Sequence, residues 1–461
     1  MTIDVPVPAH VLVDWNPEHN VYWEEKGRRV ATRNLWISMP SLLLAFAVWM
    51  VWSVVVVNLP NIGFAFDNNQ LFWLTALPGL SGATLRIFYS FMVPIFGGRL
   101  WTALSTASLL LPAIGIGIAV QNPSTSYATF LVLALLCGFG GGNFASSMAN
   151  ISFFYPKAKK GAALGLNAGI GNLGVSVVQF VVPIVVATSL FGDTGGAAQT
   201  WAKGVLTKSM WLQNAGYVWV PFIVVCVIAA WFGMNDISSA RASFAEQAVI
   251  FKRKHNWLMC WLYVGTFGSF IGYSAGLPLL TKIEFPGVDP LAYAFLGPLV
   301  GSLARVAGGF LADRFGGGRV TLWTFLAMMV GVCGVLFFLQ QKNFAGFLTA
   351  FLVLFAGTGV GNASTFQMIP AIFGTLLARA ARECGLSADV DTAAGKEAAA
   401  VLGFSSAVAA YGAFFIPKGF GTSIALTGGP QAALYLYLAF YASCVLITWL
   451  FYTRANADVK C

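Results

Sequence analysis

Residues 86–99 read RIFYSFMVPIFGGR, and residues 305–319 read RVAGGFLADRFGGGR. In each, an arginine inside apolar sequence is followed eleven residues later by a run of glycines and a second arginine. The offset between the two stretches is 219. The same offset carries Gly142-Asn143 onto Gly361-Asn362 and Phe154 onto Phe373. Further on, Gly169 and Pro183 recur as Gly403 and Pro417 at an offset of 234, the extra residues falling in the polar stretch 378–396. A duplication of this length, set in hydrophobic sequence, describes two parallel copies of one helical bundle.

The surrounding sequence supplies the helices. Of 461 residues, 58% are hydrophobic and 9% charged, against about 25% charged in soluble domains. A bilayer crossing needs about 20 apolar residues. Twelve stretches qualify: 35–58, 71–96, 100–120, 126–153, 161–189, 214–234, 256–281, 290–313, 318–340, 344–374, 397–417 and 431–453. The expected fold is an all-α membrane protein of twelve transmembrane helices in two six-helix halves. Its parts are an N-terminal segment 1–34, a first half 35–234, a central polar loop 235–255, a second half 256–453 and a tail 454–461. Pro17, after Asn16, is expected to open a short surface helix leading to Trp36.

Lys and Arg in the loops set the orientation. With the N-terminus inside, the inner loops and tails hold 19 of them, among them Lys26, Arg99, Lys160, Arg241, Arg319 and Arg454. The outer loops hold 5: Lys203, Lys208, Lys282, Lys342 and Lys418. Both termini are therefore expected in the cytoplasm of a bacterial inner membrane. The first 34 residues lack the apolar core and cleavage site of a secretory signal.

Several classes are disfavoured. The net charge of +9 is spread between hydrophobic runs, which argues against a nucleic-acid partner. The cysteines (137, 226, 260, 333, 384, 444 and 461) form no CxxC and read as small packing residues. His10, His19 and His255 lie outside the spans, so haem or copper ligation within the membrane is not expected. No metal, cofactor or catalytic constellation is visible, and the chain does not read as an enzyme.

Two cations are left over. Arg86 and Arg305 are the Lys or Arg residues that fall inside spans, whereas every Asp and Glu falls in a loop, a tail or a span end; Asp313 is nearest, at a cytoplasmic edge. Eleven residues of helix put each arginine about 16 Å from its glycine turn, near mid-membrane. A buried arginine costs about 2.5–3.5 kcal/mol or more. The missing negative charge is then expected to be the cargo. The alternative is a structural arginine bonded to helix carbonyls. Guanidinium offers a planar fork of donors, which suits nitrate, nitrite or bicarbonate.

Gly161, Gly165 and Gly169 recur every fourth residue, joined by Gly171 and Gly174. They form either a static helix contact or a smooth face along which the halves move. Tyr263, Phe144, Phe267 and Phe366 are candidate cavity walls.

The stretch GAALGLNAGIGN, 161–172, closely resembles the nitrate signature of the nitrate/nitrite porter family of the major facilitator superfamily. Residues 144–154 (FASSMANISFF), 90–99 (SFMVPIFGGR), 265–272 (GTFGSFIG) and 365–368 (TFQM) agree with it, and the likeness spans roughly 35–453. The resemblance implies that Arg86 and Arg305 clamp the anion and that Asn172 and Tyr263 bond it or position the arginines. It places Phe144 and Phe366 as walls and Ser406 in a second signature around Gly403. GFLADRFGGGR, 309–319, resembles the superfamily's cytoplasmic gate, with Asp313 and Arg314. Ala409 and Ala413 stand where the second signature usually has glycine, which questions how closely that helix packs.

The expected activity is nitrate uptake in exchange for nitrite by alternating access. Exchange of two monoanions is electrically neutral, whereas a lone anion entering a negative cytoplasm works against about 2.3 kcal/mol per 100 mV. Nitrate–proton symport is the main rival, disfavoured by the lack of an intramembrane Asp, Glu or His. An anion channel is a weaker one. A complete repeat pair in one chain predicts that a monomer suffices.

Overall fold

The computed structural model describes residues 8, 10–238, 248–383, 390–457 and 459–461. Arg241, Cys384 and the middle of the central loop lie outside the described residues. Eleven helices among these residues are long and apolar enough to cross a membrane. In the first half they are α1 (Asn20–Ile62), α2 (Asn68–Tyr89), α3 (Gly98–Ala119), α4 (Tyr127–Phe154), α5 (Lys157–Val185) and α6 (Asn214–Gly233). The second half has α8 (Pro290–Phe315), α9 (Gly317–Gln340), α10 (Phe344–Glu383), α11 (Glu397–Thr427) and α12 (Gln431–Thr453). The remaining expected span, 256–281, is the helix 254–284, α7. Glycine, serine, threonine and tyrosine dilute its apolar sequence, and it is buried along most of its length.

The expected spans map onto these helices with informative differences. The helix ahead of Trp36 begins at Asn20, capped by His19, and runs unbroken into α1, so Pro17 lies in a turn before it. The stretch 71–96 is not one helix: α2 stops at Tyr89 and a short helix, Met92–Phe96, follows. Pro94 is the physical cause, since its ring clashes with the carbonyl four residues back, that of Ser90. The counterpart α8 has no proline there and runs straight to Phe315, so the eleven-residue depth estimate holds for Arg305 and is only approximate for Arg86. The span expected to end at 417 continues to Thr427.

The glycine turns of the repeat have a backbone reason. Gly97 and Gly316 sit at φ +84° and +87°, where side chains are strained. At the first turn, the Asp236 carboxylate accepts the Arg99 main-chain N–H at 2.8 Å. Strand β1 (Val11–Leu12) pairs with β4 (Asp236–Ile237) to strap the N-terminal segment beneath the first half. On the opposite face, the hairpin β2 (Gln199–Lys203) and β3 (Leu206–Met210) covers the outer end of α1.

The duplication is visible in the packing. Within the halves, α2 lies on α4 and α8 on α10; between them, α2 meets α11 and α5 meets α8. The two interfaces exchange under the repeat. Main-chain approach at α2–α11 and α7–α11 is close. A Cβ on Gly79 would strike the main chain of Ala413, and one on Gly412 would strike that of Gly268. Ala409 and Ala413 are thus no obstacle to tight packing of α11, because the facing helices supply the missing glycines.

Candidate anion site between the halves

Arg86 projects from α2 and is fully buried. Its Nε donates to the Gly141 carbonyl of α4 at 3.0 Å, and Nη1 donates across the interface to the Ser406 carbonyl of α11 at 3.1 Å. The guanidinium lies 4.7 Å from the ring centroid of Phe144 and 5.3 Å from those of Phe267 and Trp49. These aromatic faces and carbonyls offset part of its desolvation. Carbonyl bonding, the structural alternative, is therefore part of the arrangement, but it leaves one donor over: buried Nη2 has no partner.

Arg305 of α8 is also buried, 5.8 Å from the Phe366 ring, and its Nη1 has no partner. Among the described residues neither arginine belongs to an ion pair. Tyr263 of α7 is 1% exposed and within electrostatic reach of both arginines. Its ring stacks on Phe267 at 5.7 Å through a π-helical turn, Val264–Gly268, a distortion frequent at functional sites. Asn172 of α5 is buried with Oδ1 unpartnered; turning the amide by 180° would present Nδ2 instead.

Buried polar atoms are almost always bonded. Arg86 Nη2 and Arg305 Nη1 are orphaned donors, one in each half, and a small oxyanion is the kind of group that satisfies such donors; Asn172 would join them with its amide turned.

The other expected site residues are placed less directly. Phe144 stacks on Phe267 across the halves at 6.2 Å. The Ser406 hydroxyl is spent on Gly403 O within its own helix at 2.8 Å, so this residue serves Arg86 through its main chain. Asp313 accepts from Gln367 of α10 at 2.9 Å, and Arg314 rests over Phe315 at 5.3 Å; both are exposed and belong to the second half alone. Phe267, a candidate wall from the sequence, does lie against Arg86, and Trp49 is a wall that nothing in the sequence marked.

The two readings of the glycine face divide along the helix. A Cβ on Gly161, Gly165, Gly169 or Gly403 would meet open space. Gly171 and Gly174 do pack, against Leu42 and Leu43 of α1. On α5 the bare positions, Gly161, Gly165 and Gly169, all precede Asn172. The bonds that tie the halves lie at or beyond the arginine level on the other side: Ser176 Oγ to Phe295 O, Gln179 Nε2 to Ser274 O, Lys282 Nζ to Val57 O and Lys418 Nζ to Asn69 Oδ1. These ties between the halves thus gather at the end that carries the hairpin, and the bare glycines lie at the other end. A separate, mostly apolar groove of about 530 Å³ lies between α8, α9 and α10, lined by Leu311, Trp323 and Val353.

Two helical halves related by a duplication and packed face to face have the architecture of a membrane carrier. The sequence profile of the Major Facilitator Superfamily matches residues 41–388. The chain is 52% identical to the nitrate/nitrite transporter NarU of Escherichia coli K12, over 98% of each chain. It is 43% identical to the probable nitrate/nitrite antiporter NarK2 of Thermus thermophilus, again over 98% of each. Among solved structures, the inward open xylose transporter XylE of E. coli shares the fold, with TM-score 0.66 at 13% identity, covering 92% of this chain and 97% of that one. The chain belongs to the nitrate/nitrite porter family of the major facilitator superfamily, a family of carriers and not of enzymes.

Proposed function

We propose that this chain carries nitrate into the cell in exchange for nitrite, holding the anion between Arg86 and Arg305. The observation that carries the reading is the pair of unpartnered guanidinium N–H groups, one from each half, in a site with no carboxylate. Each half contributes one cation, so the anion bridges them and travels as the halves rock about it. Asn172 and Tyr263 complete the donor set, and Phe144, Phe267 and Phe366 wall it.

The protein would sit in the bacterial inner membrane with both termini cytoplasmic and act as a monomer. The lysine and arginine bias of the loops supports the orientation. Proton symport remains the second reading, and an anion channel a third. Against symport, no Asp, Glu or His among the described residues lies beside the arginines.

The test is labelled nitrate uptake into proteoliposomes loaded with nitrite, nitrate or neither, with and without a pH gradient. Uptake that requires an internal anion and ignores the gradient is expected. Uptake into empty vesicles that follows the gradient would establish symport instead, and unitary currents in a planar bilayer would establish a channel.

A further inference from the structure

The outer face holds a second group of cations without acidic partners. Lys282 stands at the outer end of α7, beyond the span 256–281. Its ammonium reaches across to the first half, donating to Val57 O at 2.6 Å and Asn61 Oδ1 at 2.9 Å. Lys203, on the hairpin, donates to Pro286 O at 2.6 Å, just past the end of α7. Each lysine therefore bridges the halves, and each is held by neutral oxygens. The two feel one another: burial and then the charge of Lys203 pull the Lys282 ammonium down to about 8. The nearby carboxylate, Glu284, is already paired with Lys342 at 2.9 Å.

We infer that Lys282 and Lys203 form an outer capture site for a small inorganic monoanion, folded away as a latch while the outer side is closed. Opening the outer side must break both bridges, because each spans the interface. Two ammonium groups are then freed together at the mouth, where their mutual repulsion is relieved by an anion. An external anion thus binds the open form preferentially and draws the equilibrium toward it.

The path inward from this point is also marked. Ser274 lies eight residues, or about 12 Å, inward of Lys282 on α7, and its carbonyl holds Gln179 of α5. Gln179, Ser176 and Asn172 share one face of α5 at helical spacing. Ser176 and Gln179 both donate to main-chain carbonyls of the second half. The same opening frees these neutral donors between the lysines and the arginine pair. They offer an anion hydrogen bonds without a deep well in which it would stay.

The inference rests on the transport reading above and is tested by sidedness. Right-side-out membrane vesicles would be loaded with nitrite, and the half-saturation for labelled nitrate measured at the outer face, with the inner face measured in inverted vesicles. Removing one charge a few ångströms from a monoanion in water weakens attraction about threefold. Lys282→Gln and Lys203→Gln are each expected to raise the outer half-saturation about threefold at low salt, and the double variant about tenfold. The inner value should change less than the outer one, the effect should fade at high ionic strength, and Lys282→Arg should restore wild-type behaviour. Lys208→Gln, on the same hairpin but resting over Trp201, serves as the control. An outer half-saturation that stays put, or an equal change at both faces, overturns the capture site. Wild-type vesicles that fail to exchange nitrate for nitrite would instead overturn the transport reading, so the two failures are distinguishable.

Discussion

Replacing Arg86 with lysine separates charge from geometry. The arginine divides its donors three ways: Nε to Gly141 O, Nη1 to Ser406 O, and Nη2 left for a ligand. Lysine keeps the charge but is one carbon-chain atom shorter in reach and has a single nitrogen. That nitrogen can serve the carbonyls or the anion, and cannot span the three directions at once. The loss is about one charge-assisted hydrogen bond, or about 1.5–3 kcal/mol. At 1.4 kcal/mol per factor of ten, the half-saturation for nitrate should rise about 10- to 150-fold. Glutamine at the same position also removes the charge and should lose at least as much. Counterflow in proteoliposomes reads the affinity, and thermal unfolding in detergent checks that the variant is folded. A lysine variant within twofold of wild type would refute the argument, since charge alone would then suffice and the orphaned N–H would have no role.

Other expectations concern the moving faces and the outer latch. Gly165→Leu adds a side chain to open space, so the melting temperature should stay within a degree or two, while exchange should fall at least tenfold because the inner side can no longer close; unchanged exchange would remove the sliding-face reading. Gly174→Ala drives a Cβ into the Leu43 carbonyl and should destabilise by about 1–3 kcal/mol, read as a lowered melting temperature. Lys282, held at about 8 in the closed form, returns toward about 10.4 when opening exposes it to water. Opening therefore takes up a proton between those values, and exchange limited by outer opening should slow by up to tenfold per pH unit above about pH 8 and be flat below it. Of the charged groups around it, Lys203 shifts it and Glu284 is tied to Lys342, while α1 contributes only Val57 and Asn61; a Lys282→Met variant that keeps the slope would sink the assignment.

Much of the fold was legible because its signals are one-dimensional. Bilayer thickness sets span length, and a duplicated sequence carries Arg86 onto Arg305 and Gly97 onto Gly316 whatever the helices do. The acid-free arginine pair could be found by counting alone. What needed three dimensions was any property of a contact between distant helices. The break at Ser90 was locally encoded by Pro94, but hydropathy smoothed over it. The tight packing of Ala413 depends on Gly79, more than 300 residues away in sequence. Trp49 stands beside Arg86 only because α1 and α2 pack together. The glycine face stayed open between two readings for a different reason: a periodic run of small residues says that something comes close, not in which conformation it does so.

The unpartnered charges also bear on why the carrier should exchange and not simply import. In this structure Arg86 already reaches the second half through Ser406 O, and Tyr263 lies within electrostatic reach of both arginines. Rocking to the outward-facing form keeps both cations in the interface, with no carboxylate to accompany them. Two like charges separated by about 8 Å, room enough for one small oxyanion, repel by about 2 kcal/mol at an effective dielectric constant near 20. On the proposed reading, an anion between them would cancel that repulsion and fill the open bonding positions at Arg86 Nη2 and Arg305 Nη1. The loaded carrier therefore crosses the occluded state about 30-fold more readily than the empty one by this term alone. A carrier that can barely return empty must bring something back, and a second small monoanion is the cargo that satisfies the same two guanidinium groups.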